Sequence, residues 1–152
     1  MNHLQKIKEK VCSLSQAKAL VTAWQKEGQQ VVFTNGCFDI LHKGHVTYLA
    51  KAASMGDQLI LAINSDESVR TLGKADNRPI NTELDRAFLL AGLEIIDAVI
   101  IFNDSTPEKI IKELSPNILV KGGDYDESIT DSSDPKYIVG RDYILENGGE
   151  IK

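Results

Sequence analysis

The sequence is organised around Gln30-Val-Val-Phe-Thr34 and the polar segment that overlaps its end, Thr34-Asn-Gly-Cys-Phe-Asp-Ile-Leu-His-Lys-Gly-His45. The first run is short, β-branched and aromatic, which predicts a buried strand. Asn35-Gly36 permits a tight turn, and helical spacing begins near Lys43, so the polar segment joins a strand to a helix. The unpaired N–H groups at a helix N-terminus attract anions, which makes this segment the first candidate site.

Strands and helices alternate along the rest of the chain. The unbroken apolar run Leu59–Ile63 is typical of a parallel strand covered on both faces. Further strands are predicted over 98–102 and 118–120, and helices over 14–29, 43–55, 82–93, 106–114 and 135–146. This alternation predicts an α/β fold, a Rossmann-like doubly wound parallel sheet, whose ligands bind beyond the carboxyl ends of the strands. The polar stretch 124–134 is predicted to be a mobile loop.

Length and composition fit one soluble domain, with an N-terminal helical segment over 1–28 and an α/β core over 29–152. The chain has 152 residues, of which 42% are hydrophobic and 26% charged. Its net charge of −5 argues against nonspecific binding to nucleic acid. No apolar stretch approaches the roughly 20 residues of a membrane span, so we expect a cytoplasmic protein without membrane contact. The two cysteines, Cys12 and Cys37, form no C-x-x-C pair and are expected to be reduced thiols.

His42 and His45 are three residues apart at the predicted helix start, so both side chains can face one bound group. Gly44 between them leaves space for a phosphate to approach the backbone, and the whole turn predicts a phosphate cradle. A single histidine is usually a surface or core residue, but two in H-x-G-H at a strand-to-helix turn are much harder to attribute to chance. Zinc is disfavoured because no third ligand has suitable spacing. Cys37 lacks the partners of an acyl-transfer nucleophile, which favours packing.

The segment Thr34–His45 resembles the G-x-F-D-x-x-H-x-G-H signature of the cytidylyltransferase-like nucleotidyltransferases, and the similarity runs over 28–152. Within that superfamily the chain resembles the adenylyltransferase domain of ADP-heptose synthesis. The glycerol-phosphate cytidylyltransferases share the signature but carry an arginine at the position of Glu94. The stretches that carry the narrower resemblance are Asn64-Ser-Asp66, Asn77-Arg-Pro79, Leu93-Glu94 before Asp97, and Leu119-Val-Lys-Gly-Gly-Asp-Tyr125.

The resemblance implies transfer of AMP from ATP, with Mg²⁺, to D-glycero-β-D-manno-heptose 1-phosphate, a sugar 1-phosphate. It implies that His42, His45 and Lys121 are catalytic and that Lys74 and Arg78 bind the substrate phosphate. The nucleotide contacts that it implies are Thr34, Asn35, Gly36, Cys37, Phe38, His42, His45, Asn64, Asp66, Arg86, Gly122, Gly123 and Asp124.

Several of these residues have a plainer reading from the sequence alone. Lys121 ends a predicted strand before a glycine pair, which favours the crevice over solvent. Arg86 is equally suited to a surface ion pair, and Asp66 to a helix N-cap. Asp39 is expected to brace the turn or to lie near Mg²⁺, for which no protein ligand can be named.

The resemblance also leads us to expect a further strand and a phosphate-binding segment beyond Asn147-Gly-Gly149, which the sequence to Lys152 does not contain. An open sheet edge of that kind would be covered in a homodimer. Three alternatives remain open: a glycerol-phosphate cytidylyltransferase, a nucleotide-binding module with impaired catalysis, and a dinucleotide oxidoreductase. The last is disfavoured because G-x-G-x-x-G does not follow the first strand.

Overall fold

A computed structural model describes residues 1–73 and 76–152 as alternating helices and strands. The substrate-phosphate prediction for Lys74 lies outside the described residues. The helices are α1 His3–Lys10, α2 Leu14–Lys26, α3 Lys43–Ala53, α4 Asp66–Thr71, α5 Glu83–Ala91, α6 Glu108–Leu114 and α7 Arg141–Glu146. The strands are β1 Val31–Gly36, β2 Gln58–Asn64, β3 Ala98–Phe102, β4 Ile118–Leu119 and β5 Glu150–Ile151.

The five strands form one parallel sheet in the order β3-β2-β1-β4-β5. The chain proceeds from β1 outwards to β3 and then returns to the other side of β1 with β4. The direction of winding therefore reverses between β1 and β4, which is where a crevice opens at the carboxyl edge of such a sheet. This arrangement confirms the predicted α/β class.

Alternate residues of the strands point to opposite faces of the sheet and are packed there under helices. Val32 belongs to the apolar cluster on one face and Phe33 to the cluster on the other, and both are fully buried. Burial on both faces is the reason that the strands read as continuous apolar runs. Among the described residues, the longest helix has 13 residues, and none has the length and apolarity that crossing a membrane requires.

The ends of the chain differ from the sequence prediction. The segment 1–28 contains two helices, because the polar α1 precedes the predicted one. The last helix begins at Arg141 and not at Pro135, since Gly140 has a φ of +87° and cannot lie inside a helix. The sheet edge expected to be open carries β5, which pairs with β4 through Ile118–Glu150 and Leu119–Ile151.

Candidate active site

A cleft of about 1240 Å³ lies at the carboxyl edge of the sheet, over the point where the winding reverses. Ten of the residues predicted for the site line it. They are Asn35, Gly36, Cys37, Phe38, His42, His45, Asn64, Arg78, Lys121 and Gly122.

The two histidines are fixed by backbone amides at the start of α3. His42 is the N-cap, and its Nδ1 accepts a hydrogen bond from the Gly44 N–H at 3.0 Å. The Nδ1 of His45 accepts the His42 N–H at 3.3 Å, and the two rings stack with their centroids 3.8 Å apart. Because Nδ1 is an acceptor in both rings, these hydrogen bonds assign the proton of each neutral ring to Nε2. We call residues 42–45 the histidine turn; it offers two Nε2–H donors.

In the ligand-free protein, His45 can donate to a ligand without an imidazolium charge. Burial and, secondly, the charge of His42 lower the pKa of His45 below its usual value of 6.5. His45 is therefore neutral at pH 7 until an anion arrives. An approaching phosphate reverses the balance, since a negative charge nearby raises the pKa of a histidine.

Two glycines of the signature make room for aromatic rings. A Cβ on Gly44 would lie 2.8 Å from Cε1 of His42, so the space that the sequence assigned to a phosphate holds this ring. Phe38 has a φ of +50°, an uncommon conformation for a bulky residue. Its ring lies over Gly36, where a Cβ would be 2.7 Å from Cε2, and its edge-on contact with His45 has a centroid distance of 5.2 Å. The strained turn thus supports the His45 ring.

Lys121 lies two residues beyond β4, on the other side of the crevice. Its ammonium donates to the side-chain oxygen of Asn35 and lies 5.2 Å from the centroid of the Tyr125 ring. Burial lowers the pKa of Lys121 to about 8, because its contacts are a neutral amide and a ring and do not compensate the charge as a carboxylate would. The cleft therefore contains a partly desolvated cation as well as the histidine turn.

Arg86 is positioned beneath the cleft and not on its surface. Its Nη1 donates to the carbonyls of Cys37 and Asn64, both at 2.8 Å, and its Nε to the carbonyl of Asn81 at 3.0 Å. Its Nη2 donates to Asp66 at 2.9 Å, and the side chain is 0% exposed. These five residues, the Arg86 cluster, fasten the ends of β1 and β2 together. The donors of Arg86 are directed at protein oxygens, and the nucleotide contacts of Arg86 and Asp66 stay predictions. The N-cap of α4 is Ser65 and not Asp66.

Thr34 is also internal. It is fully buried, and its hydroxyl donates to the Val120 carbonyl at 2.9 Å and contacts the Tyr48 hydroxyl at 2.8 Å. These hydrogen bonds join β1, α3 and the residue that follows β4. They therefore fix the width of the crevice. The Thr34 side chain does not line the cleft, and its contact with the nucleotide stays a prediction.

Other predicted contacts lie in a neighbouring cavity. Gly123 and Asp124 line a second cavity of about 750 Å³, which shares Lys121, Gly122 and Tyr125 with the main cleft. Their nucleotide contacts stay predictions. A ligand would have to extend past Lys121 to reach them.

Sequence reasoning missed two tyrosines of the cleft, Tyr48 and Tyr125. Tyr48 follows His45 by three residues on α3, and Tyr125 follows Lys121 by four. The helical spacing from His45 to Tyr48 was a usable signal, because residues three apart share a helix face. No comparable signal marked Tyr125, which lies in a loop.

The donor set of the cleft suits phosphates better than a protein-held metal. In the part of the chain that the structure describes, no three His, Cys, Asp or Glu side chains are grouped closely enough to hold a metal ion. Cys12 and Cys37 are free thiols, and Cys37 contacts Asn64 Oδ1 at 3.5 Å. Glu94, which carried part of the narrower resemblance, is exposed beyond α5, before β3 begins, and so lies away from the cleft.

Comparisons with known proteins agree with the fold. A family model described as Cytidylyltransferase-like matches residues 33–145. The Bifunctional protein HldE of Wolinella succinogenes is 45% identical over 145 residues, which are 95% of this chain and 29% of that protein. The HldE of Aeromonas salmonicida is 49% identical over 142 residues, 93% of this chain and 28% of that protein. The chain thus spans less than a third of the curated relatives it matches.

A solved structure agrees over a larger share of its own length. The lipopolysaccharide core biosynthesis protein from Thermoplasma volcanium has a TM-score of 0.64 and 30% sequence identity. The match covers 82% of this chain and 93% of that one.

Proposed function

The chain belongs to the Cytidylyltransferase-like family, and from that premise we propose that it transfers AMP from ATP to D-glycero-β-D-manno-heptose 1-phosphate and releases pyrophosphate. The observation that carries the proposal is the histidine turn, in which backbone amides occupy Nδ1 of both rings and the Nε2–H donors remain for a phosphate. The choice of a heptose phosphate rests on the narrower resemblance given above.

In the proposed reaction, an oxygen of the sugar phosphate attacks the α-phosphorus of ATP as the bond to pyrophosphate breaks. No protein nucleophile is needed, so the protein acts by positioning two polyanions and neutralising the charge that develops. His42 and His45 donate to the α-phosphoryl group and the leaving pyrophosphate. Lys121, which lines the same cleft, supplies a full positive charge.

The cleft also has a cation suited to the second phosphate. Arg78 lines the cleft, and its planar guanidinium presents paired donors to a phosphate. We assign it to the sugar 1-phosphate, because Lys121 and the histidines already surround the nucleotide.

Mg²⁺ fits this site as an ion carried by the triphosphate. The carboxylate of Asp39, which lines the cleft, accepts hydrogen bonds with both oxygens, and Mg²⁺ is commonly bound by substrate phosphates and water. When bound, Mg²⁺ would neutralise charge on the phosphates. The site residues themselves would orient the phosphate oxygens and exclude water.

A panel of substrates tests the proposal. The protein is incubated with Mg²⁺ and either ATP or CTP, each with heptose 1-phosphate or glycerol 3-phosphate, and pyrophosphate release is measured. We expect release with ATP and heptose 1-phosphate at least tenfold above every other pair. Release confined to CTP and glycerol 3-phosphate would overturn the heptose assignment.

Calorimetry with a non-hydrolysable ATP analogue separates catalysis from binding alone. Binding without pyrophosphate release from any pair would identify a nucleotide-binding module instead of an enzyme. We further propose that the protein acts in the cytoplasm, where ATP is supplied, and forms a homodimer. Sedimentation velocity on the purified protein tests the dimer, and a single monomeric species at micromolar concentration would contradict it.

A further inference from the structure

Asp39 is the acidic residue of the signature, and it binds a segment that is distant in sequence. Its carboxylate accepts the backbone N–H groups of Ile80 and Asn81 and one N–H of Arg78, each at 2.9 Å. Its carbonyl accepts the side-chain amide of Asn81 at 2.6 Å. Residues 78–81, called the 78–81 segment below, are thereby attached to the turn between β1 and α3.

The contact with Asp39 orients the Arg78 side chain and leaves most of its N–H donors free. Arg78 spends one Nη1 hydrogen bond on Asp39, at 2.9 Å, and in the described part of the chain it has no other partner. Its side chain is 37% exposed and lines the cleft. A guanidinium has five N–H groups, so the remaining donors are available to a phosphate.

The charge of Asp39 is matched by the donors around it. Its side chain is 12% exposed, and its oxygens are occupied by the 78–81 segment. Burial alone would raise the pKa of Asp39, but the hydrogen bonds from Asn81, Arg78 and Ile80 and the charge of Arg78 lower it to about 2. The carboxylate is therefore charged throughout the neutral range and suits neither a proton acceptor nor a ligand whose oxygens are open to a metal.

We propose that Asp39 is the positioning residue for the acceptor, because it holds Arg78 at the cleft wall and so sets the affinity for the substrate phosphate. The inference rests on the proposed function, in which a sugar phosphate enters beside Arg78. Asp39 itself touches neither substrate.

Kinetics of four variants test this role: Asp39→Asn, Arg78→Ala, the double variant, and Asp57→Asn as a matched control. Asp57 also accepts a backbone N–H, from Gln30 at 2.8 Å, but at the opposite end of the sheet. We expect Asp39→Asn to raise the KM for the sugar phosphate about 10- to 100-fold, as for loss of a charge-assisted contact. The KM for ATP and the kcat should change less than about threefold, and Asp57→Asn should match the wild type.

The double variant shows whether Asp39 acts through Arg78. In the Arg78→Ala background, Asp39→Asn should raise the acceptor KM by less than about threefold, because residues in one network are not additive. Fully additive effects would overturn the proposal. So would a raised Mg²⁺ requirement in Asp39→Asn, which would make Asp39 a metal ligand, or a loss of kcat with the KM unchanged.

A measurement on the ligand-free protein separates this inference from the proposed function. Amide hydrogen exchange at Ile80 and Asn81 should be at least tenfold faster in Asp39→Asn and unchanged in Asp57→Asn. If the wild type fails with heptose 1-phosphate but the exchange result holds, the proposed function falls and the attachment by Asp39 stands. Unchanged exchange in Asp39→Asn would overturn the positioning role whatever the substrate.

Discussion

The histidine turn and the Arg86 cluster lie at the same edge of the sheet, yet they use their donors in opposite ways. In the histidine turn, backbone amides occupy Nδ1 of both rings, and the Nε2–H groups remain for a ligand. In the Arg86 cluster, four N–H groups donate to protein oxygens and the side chain is 0% exposed. The difference shows that an N–H donor near a cleft can bind a ligand only when it is not already bonded to a protein oxygen.

Removal of the buried arginine should have the largest effect, and it should be an effect on folding. Arg86→Met leaves Asp66 and three carbonyls without their donor, so the free energy of unfolding should fall by about 3–5 kcal/mol. The melting temperature should fall by roughly 10 °C. Urea denaturation of Arg86→Met measures this, with the exposed Arg70→Met as control, expected within about 0.5 kcal/mol of wild type. Wild-type stability with lost nucleotide binding would make Arg86 a ligand and break the comparison.

Removal of a histidine should have the next largest effect, and it should be an effect on turnover. His45→Ala should lower kcat about 10²- to 10³-fold, or about 2.7–4 kcal/mol, because a preorganised donor is lost. His45 is only half-buried, so the melting temperature should change by no more than about 3 °C. Pyrophosphate release and a thermal melt measure the two effects, with His3→Ala on the exposed helix α1 as the matched control. A collapse of the melt with little loss of kcat would indicate a structural histidine.

Titration of Lys121 should have a smaller effect, on the pH dependence of stability and of nucleotide affinity. Its pKa is about 8 in the folded protein against an ordinary 10.5, so the unfolded chain binds more protons between these values. Stability should therefore rise with pH from about 8 to 10.5, while affinity for an ATP analogue should fall by up to tenfold per pH unit above 8. Denaturation and calorimetry across that range measure both slopes. Lys121→Met should flatten them, and unchanged slopes in that variant would remove Lys121 from the site.

Thr34 provides the test with the smallest expected effect, because its hydroxyl is also hydrogen-bonded within the protein. Thr34→Val should lower the free energy of unfolding by about 1 kcal/mol, since its contacts with Val120 and Tyr48 are lost. Affinity for the ATP analogue should stay within about twofold of wild type. Thr22→Val, which removes a hydroxyl from the exposed face of α2, controls for the substitution itself. A loss of affinity for the ATP analogue without a loss of stability would indicate that Thr34 contacts the nucleotide.

The sequence carried much of the fold and the centre of the site. Apolar runs such as Leu59–Ile63 marked the buried strands, and the right-handed crossover rule then limits their order. His42, His45 and Lys121 follow strands, and the carboxyl ends of parallel strands meet at one edge, so their approach could be predicted. These are local patterns combined with a general rule of topology.

What the sequence could not reveal is where a donor points. Whether Arg86 donates to a ligand or to the protein depends on the backbone carbonyls of Cys37 and Asn64. Both carbonyls are far from Arg86 in sequence, and a backbone carbonyl is not marked by the identity of its side chain. Asp39 and the 78–81 segment pose the same difficulty, since backbone N–H groups supply two of its partners. The start of α7 was misplaced because it depends on the left-handed conformation of Gly140.

The most direct test follows side-chain nitrogens by ¹⁵N NMR while pyrophosphate is added to the protein. The chain has three histidines, and His3, exposed on α1, serves as the internal reference. We expect His42 and His45 to carry their proton on Nε2 before addition and to shift at Nε2 as pyrophosphate binds, while the Arg86 Nε resonance stays in place. Protons on Nδ1 of His42 and His45 in the ligand-free protein would contradict the account. So would a shift of the Arg86 Nε resonance while the histidine resonances stay unchanged.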